Sequence, residues 1–405
     1  MNFSCIAAAS GFHDVRLMVR SGQLRPEKPP GASDLPVQTD KNVMKPETPY
    51  TEVAIVGAGP IGIELAIALQ RAGVDYTLFE ARQVGDAFSQ WPPDTYFYST
   101  PEHVALAGVP VHNRSQQPLS GEQYLAYLRM LVEMFDLNLH VYEPVTGIEK
   151  EAGGFVLETR PLAAIAPNHY HCRYLVLATG GMAGPRRLNI PGEDLPHVSH
   201  YFPGPHAYFR TRLLVVGGRN SAIESALRSW RGGAQVAISY RRPEFDFERI
   251  KPHLAMDLRD RLEKQEMTFY PATLPLEITP TYVVLTETDD GVAGNGRIIH
   301  VPTDFVLLAT GFVADMTLFE LAGVQLAGPE CAPVFDPNTM ETNVPGLYVA
   351  GTAAGGTQFK FKYFISTTHH HVKHIVRHIT GVAPDKLGSV PGRNSAVTWE
   401  EVKAN

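Results

Sequence analysis

Only three of the 405 residues are cysteine (Cys5, Cys172 and Cys331), and they stand far apart. Without a C-x-x-C the chain offers neither a paired redox disulfide of the thioredoxin type nor a zinc ribbon. So few cysteines, with no clear export signal, fit a reducing, cytoplasmic setting. Long apolar runs are missing too, so nothing is expected to cross a bilayer and no membrane partner is implied. Excess positive charge is absent: 35 Lys and Arg face 42 Asp and Glu, a net charge of -7. That balance argues against a nucleic-acid polyanion as partner. The apolar run Phe3–Ala9 has no basic segment ahead of it, so it does not read as a signal peptide. What remains is a globular composition, 44% hydrophobic and 19% charged, long enough for two or three cores.

The chain is organised around Val53-Ala54-Ile55-Val56-Gly57-Ala58-Gly59-Pro60-Ile61-Gly62. Four apolar residues in a row read as a buried parallel strand. Each glycine after them has a task. Gly57 permits the tight turn, Gly59 lets backbone approach a pyrophosphate, and Gly62 lets a helix lie close to the strand. Pro60 suits the first helical position. A helix is expected from Ile61 to Ala72, ended by Gly73. Tyr76-Thr77-Leu78-Phe79-Glu80 then supplies a second strand closed by an acid, placed where a carboxylate can accept from both ribose hydroxyls. Strand, glycines, helix, strand and acid in that order read as a dinucleotide site.

Ahead of it, residues 1–49 include a stretch rich in Pro, Lys and Asp without periodicity, read as a mobile leader. The stretch from Phe88 to Glu102 is aromatic and broken by proline, so it is neither a regular helix nor a central strand. Its flat side chains suit either a pocket wall or an anchor to the core. Ser120 and Gln123 form a capping box for a helix to Phe135. Strands are expected at Leu139–Tyr142, Phe155–Thr159 and Tyr174–Ala178, the last running into Ala178-Thr179-Gly180.

Leu214-Val215-Val216-Gly217-Gly218-Arg219-Asn220-Ser221-Ala222 then repeats the opening theme. Arg219 stands where the fingerprint wants glycine; its guanidinium either folds onto a phosphate or swings into solvent. The strand after this second helix ends in Tyr240-Arg241-Arg242 where the first unit has Glu80. An acid suits a free ribose hydroxyl, whereas arginines suit a 2′-phosphate through bidentate, charge-assisted bonds. The first site is therefore expected to take FAD, and the second NADPH rather than NADH.

These two folds and the two Ala-Thr-Gly turns, at Ala178–Gly180 and Ala309–Gly311, resemble the two-dinucleotide-binding-domain flavoproteins. Only a short helical tail follows Gly351, so the layout is similar to that of thioredoxin reductase. Gly57–Gly62, Tyr96–Glu102, Gly217–Ala222 and Phe335–Gly346 carry a still closer resemblance to the bacillithiol-disulfide-reductase-like (YpdA-type) family. The resemblance implies an α/β fold of two doubly wound, Rossmann-like domains, with the NADPH domain inserted into a discontinuous FAD domain. The expected division is 50–200 with 304–385 for FAD, 201–303 for NADPH, and 386–405 as a tail. It also implies that Thr179, Gly180, Gly351 and Thr352 line the flavin, that Gly57, Gly59, Pro60, Gly62 and Glu80 hold FAD, and that Gly217, Gly218, Asn220, Ser221, Arg241 and Arg242 hold NADPH. Relatives of this layout are usually homo-oligomers.

Two departures stand out. That family places a cysteine after the Gly-Ala-Gly-Pro turn, where a helix dipole lowers its pKa. Here the residue is Ile61, which neither ionises nor forms a mixed disulfide. Thr352 replaces the aspartate that usually bonds the ribityl chain, and a hydroxyl still donates and accepts. His370, His374 and His378 share a helical face, but a helix lining the flavin pocket or a subunit interface is preferred to a metal site. The expected activity is an oxidoreductase passing hydride from NADPH to flavin and on to a small acceptor: a disulfide, a quinone or a redox protein. A single-component monooxygenase and a sensor with little turnover are the alternatives. No catalytic side chain is singled out.

Overall fold

The computed structural model describes residues 49–289, 292–359 and 362–389. The expected leader lies outside them except for Pro49, as does most of the expected tail. Strand β1 (Tyr50–Val56) keeps Val53–Val56 buried, as a strand covered on both faces must. Helix α1 (Pro60–Arg71) starts with proline at its first position and stops before Gly73, whose φ of +70° ends the helix in left-handed backbone. Strand β2 (Tyr76–Phe79) runs parallel to β1. Helix α2 (Gly121–Phe135) carries the expected box: Ser120 Oγ accepts the Gln123 amide at 3.2 Å, and Gln123 Oε1 accepts the Ser120 amide at 2.9 Å. The aromatic stretch before it anchors to this helix. Phe88 and Phe97 each lie edge-on to Tyr124, with centroids 5.0 and 4.8 Å apart.

β3 (Leu139–His140), β4 (Val145–Glu151), β5 (Gly154–Thr159) and β6 (Asn168–Leu177) complete most of the first sheet. Its order is β3-β2-β1-β6-β5-β4; the first four are parallel, and β4–β5 form an antiparallel hairpin on the first half of β6. That pairing explains why β6 starts six residues before the expected Tyr174.

The second sheet is built from β7 (Val198–Ser199), β8 (Arg212–Val216), β9 (Gln235–Ser239), β10 (Thr268–Tyr270) and, later in the chain, Phe305–Leu308. Helix α3 (Asn220–Arg231) joins β8 to β9, and α4 (Pro252–Glu263) precedes β10. An antiparallel sheet of β11 (Thr273–Ile278), β12 (Tyr282–Asp289) and β13 (Val292–Pro302) follows, and leads into β14 (Phe305–Leu308). The second sheet is parallel throughout, in the order β10-β9-β8-β14-β7.

Of the segments expected in the FAD domain, Val198–Ser199 (β7) and Phe305–Leu308 (β14) join the second sheet: β14 pairs with β8, and β7 with β14. The two chain crossings, Gly184–Pro185 and Phe312–Val313, pair side by side outside both large sheets. The turn Ala309-Thr310-Gly311 therefore closes the second fold, not the first. The chain then returns. β15 (Leu347–Val349) adds parallel to the second half of β6, and α5 (Ile365–Thr380) packs against α1. Among the described residues no helix is long and apolar enough to cross a membrane.

Candidate functional site: two aligned nucleotide turns

One row of register partners crosses the first sheet: Phe79, Val56, Leu177 and Val349. One residue beyond it stand Glu80, Gly57, Ala178 and Ala350, so sequence segments nearly 300 residues apart converge on one edge. In open α/β sheets the ligand crevice lies outside these carboxyl ends. The residues expected to hold FAD lie on the turns that follow this row or, for Pro60 and Gly62, in the first turn of α1. Gly57 has φ +110°, and a β-carbon on it would meet the Ala178 carbonyl at 2.5 Å. A β-carbon on Gly62 would meet the Gly57 carbonyl at 1.9 Å, so glycine is what lets α1 rest on its own turn. Gly59 is different: a β-carbon there would meet nothing within 4 Å, which leaves the approach to the start of α1 open. Among the described residues no side chain caps α1.

Glu80 is tied down within its own fold. Oε2 accepts the Ala58 amide at 2.8 Å and Oε1 accepts the Arg82 amide at 2.9 Å. Burial raises its pKa above the ordinary carboxyl value, and the two amides pull the other way. Each oxygen keeps lone-pair capacity for a ribose hydroxyl.

The Thr179 hydroxyl is buried and has no hydrogen-bond partner among the described residues. Its counterpart in the second fold, Thr310, donates to the Arg186 carbonyl at 2.7 Å. A buried polar atom left unmatched in one copy and satisfied in the other calls for a partner, and a bound ligand would supply one. Gly180 and Gly351 both adopt left-handed backbone, at φ +80° and +69°, and Thr352 Oγ1 lies 3.9 Å from where a Gly180 β-carbon would stand. The open approach at Gly59, the unmatched hydroxyl of Thr179 and the paired turns around Thr352 fit a flavin dinucleotide.

The second fold repeats the geometry. Val216, Ser239 and Leu308 share a register row, followed by Gly217, Tyr240 and Ala309. A β-carbon on Gly217 would meet the Ala309 carbonyl at 2.5 Å, the same distance as in the first copy. Gly218 is pressed against the Tyr240 ring, which stacks on Phe245 at 5.5 Å. Asn220 holds the following loop: its Oδ1 accepts the Lys251 amide at 2.8 Å. Ser221, Arg241 and Arg242 are exposed, and neither arginine has an ion-pair partner among the described residues. Arg219 is exposed. Its Nη1 donates to the Phe359 carbonyl at 3.0 Å, and the Phe359 ring carries the Arg186 guanidinium at 5.0 Å.

Ile61, where the resemblance wants cysteine, is 6% exposed and packs against Gly351; a β-carbon on that glycine would lie 3.3 Å from Ile61 Cβ. Cys172 is buried on β6 five residues before the site row, about 16 Å away at the rise of a strand, and burial pushes its thiol up to about 12. Cys331 is exposed, with its backbone against Gly356, and Cys5 lies outside the described residues.

The histidines of α5 have other work. His369 contacts the buried Glu64 carboxylate at 2.6 Å, His374 Nδ1 donates to the Pro337 carbonyl at 2.8 Å, and His378 meets the Tyr348 hydroxyl at 3.0 Å. His371 accepts the Gly351 amide at 3.2 Å. In the sequence His371 is one of a run of histidines with nothing to single it out; in the structure it is buried with Val372, Ile375 and Val376 on α5.

Comparisons agree with this geometry. A family model described as pyridine nucleotide-disulphide oxidoreductase matches residues 54–351, and a second of the same description matches 9–91. The chain is 31% identical over 327 residues to bacilliredoxin reductase Bdr of Bacillus subtilis (strain 168), covering 80% of this chain and 96% of that one. It is 28% identical over 309 residues to a ferredoxin–NADP reductase of Ignicoccus hospitalis, covering 74% and 89%. The solved structure of bacillithiol disulfide reductase Bdr (YpdA) from Bacillus cereus superposes with a TM-score of 0.76 at 28% identity, covering 82% of this chain and 99% of that one.

Proposed function

The chain belongs to the pyridine nucleotide-disulphide oxidoreductase family, and from that premise we propose that it moves electrons from NADPH through FAD to a small acceptor without an enzyme thiol on the way. FAD, when bound, would supply the redox chemistry that links the nicotinamide to the acceptor. The chain's own residues bind and orient. Gly57, Gly59, Pro60 and Gly62 bring the start of α1 to the pyrophosphate, Glu80 takes the ribose, and Thr179, Gly180, Gly351 and Thr352 receive the middle of the dinucleotide. In the second fold Gly217, Gly218, Asn220 and Ser221 shape the phosphate turn. Arg241 and Arg242 answer the 2′-phosphate.

The observation that carries this reading is the unmatched Thr179 hydroxyl at the edge where four strands deliver the glycine turn, the acid and Thr352. The relatives named above are, by name, a bacilliredoxin reductase, a ferredoxin–NADP reductase and a bacillithiol disulfide reductase. With Ile61 sealed against Gly351, a quinone or redox-protein acceptor is favoured over a disulfide, because neither needs a covalent enzyme adduct. The unpaired thiols Cys172 and Cys331 suit work in a reducing cytoplasm.

Anaerobic turnover with NADPH and a panel of quinones, a ferredoxin, bacilliredoxin and small disulfides tests the proposal. Oxidation of NADPH with a quinone or redox protein supports it. Turnover confined to small disulfides, and lost when the cysteines are replaced, would refute it.

A further inference from the structure

Gly351 is the point at which the returning chain leaves β15 and turns, in left-handed backbone, to present Thr352. Its amide is buried, and the acceptor comes from a separate element: Nδ1 of His371 on α5. Since Nδ1 accepts, the ring proton sits on Nε2 and the imidazole is neutral. Burial first, then the neighbouring His370, His374 and His369, push the His371 pKa down to about 3, so the acceptor persists across the working pH range. The ring has little room to turn. Tyr363 meets it edge-on with centroids 5.3 Å apart, and His370 does so at 4.4 Å. Ile61 closes in on the same glycine: a β-carbon on Gly351 would lie 3.3 Å from Ile61 Cβ. The turn is held between the start of α1 and a buried face of α5.

We propose that His371 is a positioning residue for the flavin: it fixes the Gly351–Thr352 turn so that the Thr352 hydroxyl and the turn's backbone face the bound dinucleotide. The inference rests on the FAD reading of the first site. It concerns only how the turn is held, because His371 acts through Gly351 and touches no reacting atom. An apolar residue would pack in the same face of α5, beside Val372, Ile375 and Val376, but would leave the Gly351 amide buried and unmatched.

His371→Phe keeps a ring and removes the acceptor, whereas His371→Asn places a carbonyl oxygen near the position of Nδ1. The measurements are the FAD dissociation constant of each apoprotein and the midpoint potential and visible spectrum of its bound flavin. His371→Phe is expected to weaken FAD binding roughly tenfold or more and to shift the potential. His371→Asn is expected to restore both toward wild type. Wild-type affinity and potential in His371→Phe would overturn the proposal, as would His371→Asn no better than Phe. If His371→Phe does not fold, His371→Asn decides alone: near-wild-type FAD binding supports the role, and its loss refutes it. A wild-type apoprotein that takes up no FAD overturns the cofactor reading itself, and His371's role with it.

Discussion

The Glu80 carboxylate accepts the Ala58 amide at 2.8 Å, closing the glycine turn onto the end of β2 before any ligand arrives. With Arg82 on its other oxygen, the acid expected to read the ribose also builds the turn that faces the pyrophosphate. Glu80→Gln leaves one acceptor and turns an amide donor toward a backbone N–H. The variant should lose about 1–3 kcal/mol of apoprotein stability and bind FAD more weakly. Denaturant melts and FAD titration check both, and a variant neutral in both would show that the carboxylate is idle.

The same residue gives the site a pH dependence. Burial raises the folded pKa of Glu80, so the folded state binds its proton more tightly than the unfolded chain does. Its contribution to apoprotein stability therefore falls as pH rises from the ordinary carboxyl value through the raised one, and is level above. Ribose hydroxyls donate to the ionised form, so FAD affinity should run the opposite way and weaken as pH falls through that window. FAD titrations of wild type and Glu80→Gln across about pH 8 to 5 should show a slope in the first and a flatter line in the second.

Gly59 and Gly62 separate ligand space from packing space. Alanine at 59 meets nothing in the protein, so Gly59→Ala should fold within about 0.5 kcal/mol of wild type. It should nevertheless bind FAD roughly tenfold more weakly, because the methyl sits where the pyrophosphate approaches. Alanine at 62 would drive a methyl into the Gly57 carbonyl, and Gly62→Ala should lose stability by about 1–3 kcal/mol or more. Equal FAD affinity in Gly59→Ala and wild type would move the pyrophosphate elsewhere.

Arg241 and Arg242 come just after Tyr240, the residue that follows β9 as Glu80 follows β2, and both are exposed. The double variant Arg241→Ala, Arg242→Ala should raise KM for NADPH far more than for NADH, at about 1.5–3 kcal/mol per lost charge-assisted bond. Steady-state kinetics with the two nucleotides reads the ratio directly. An unchanged preference would leave the arginines as a solvated turn.

Much of this was legible in the chain, and the exceptions share a cause. The run Val53–Gly62 and the pair Ser120 and Gln123 declare themselves because their signals are local: periodicity, glycine placement and a box closed within four residues. Phe305–Leu308 gave no local hint of which sheet it would join. Its four apolar residues would suit either, and only pairing with Arg212–Val216 assigns it to the second. Arg219 reads as a departure from a fingerprint until Phe359, 140 residues on, supplies its acceptor. His371 was one histidine among several, and its role depends on Gly351 being buried with an open amide, a fact of packing rather than pattern.

The proposed route without an enzyme thiol gives a further test. A variant with Cys5→Ser, Cys172→Ala and Cys331→Ser should keep NADPH-driven turnover with its acceptor within about twofold of wild type, if it keeps its fold. Of the two described thiols, a brief alkylation of native protein at neutral pH should label the exposed Cys331 and spare Cys172, which burial holds near pKa 12. Turnover lost on replacing Cys331 alone would place a thiol in the reaction.

The central claim, that the two aligned turns are a working pair of cofactor sites, is met most directly by anaerobic stopped-flow absorbance of the FAD-loaded protein mixed with NADPH or with NADH. Rapid loss of the oxidised flavin band is expected with NADPH, and markedly slower loss with NADH. Bound flavin that NADPH leaves oxidised would contradict the claim, and the second fold would then not be a hydride-donor site.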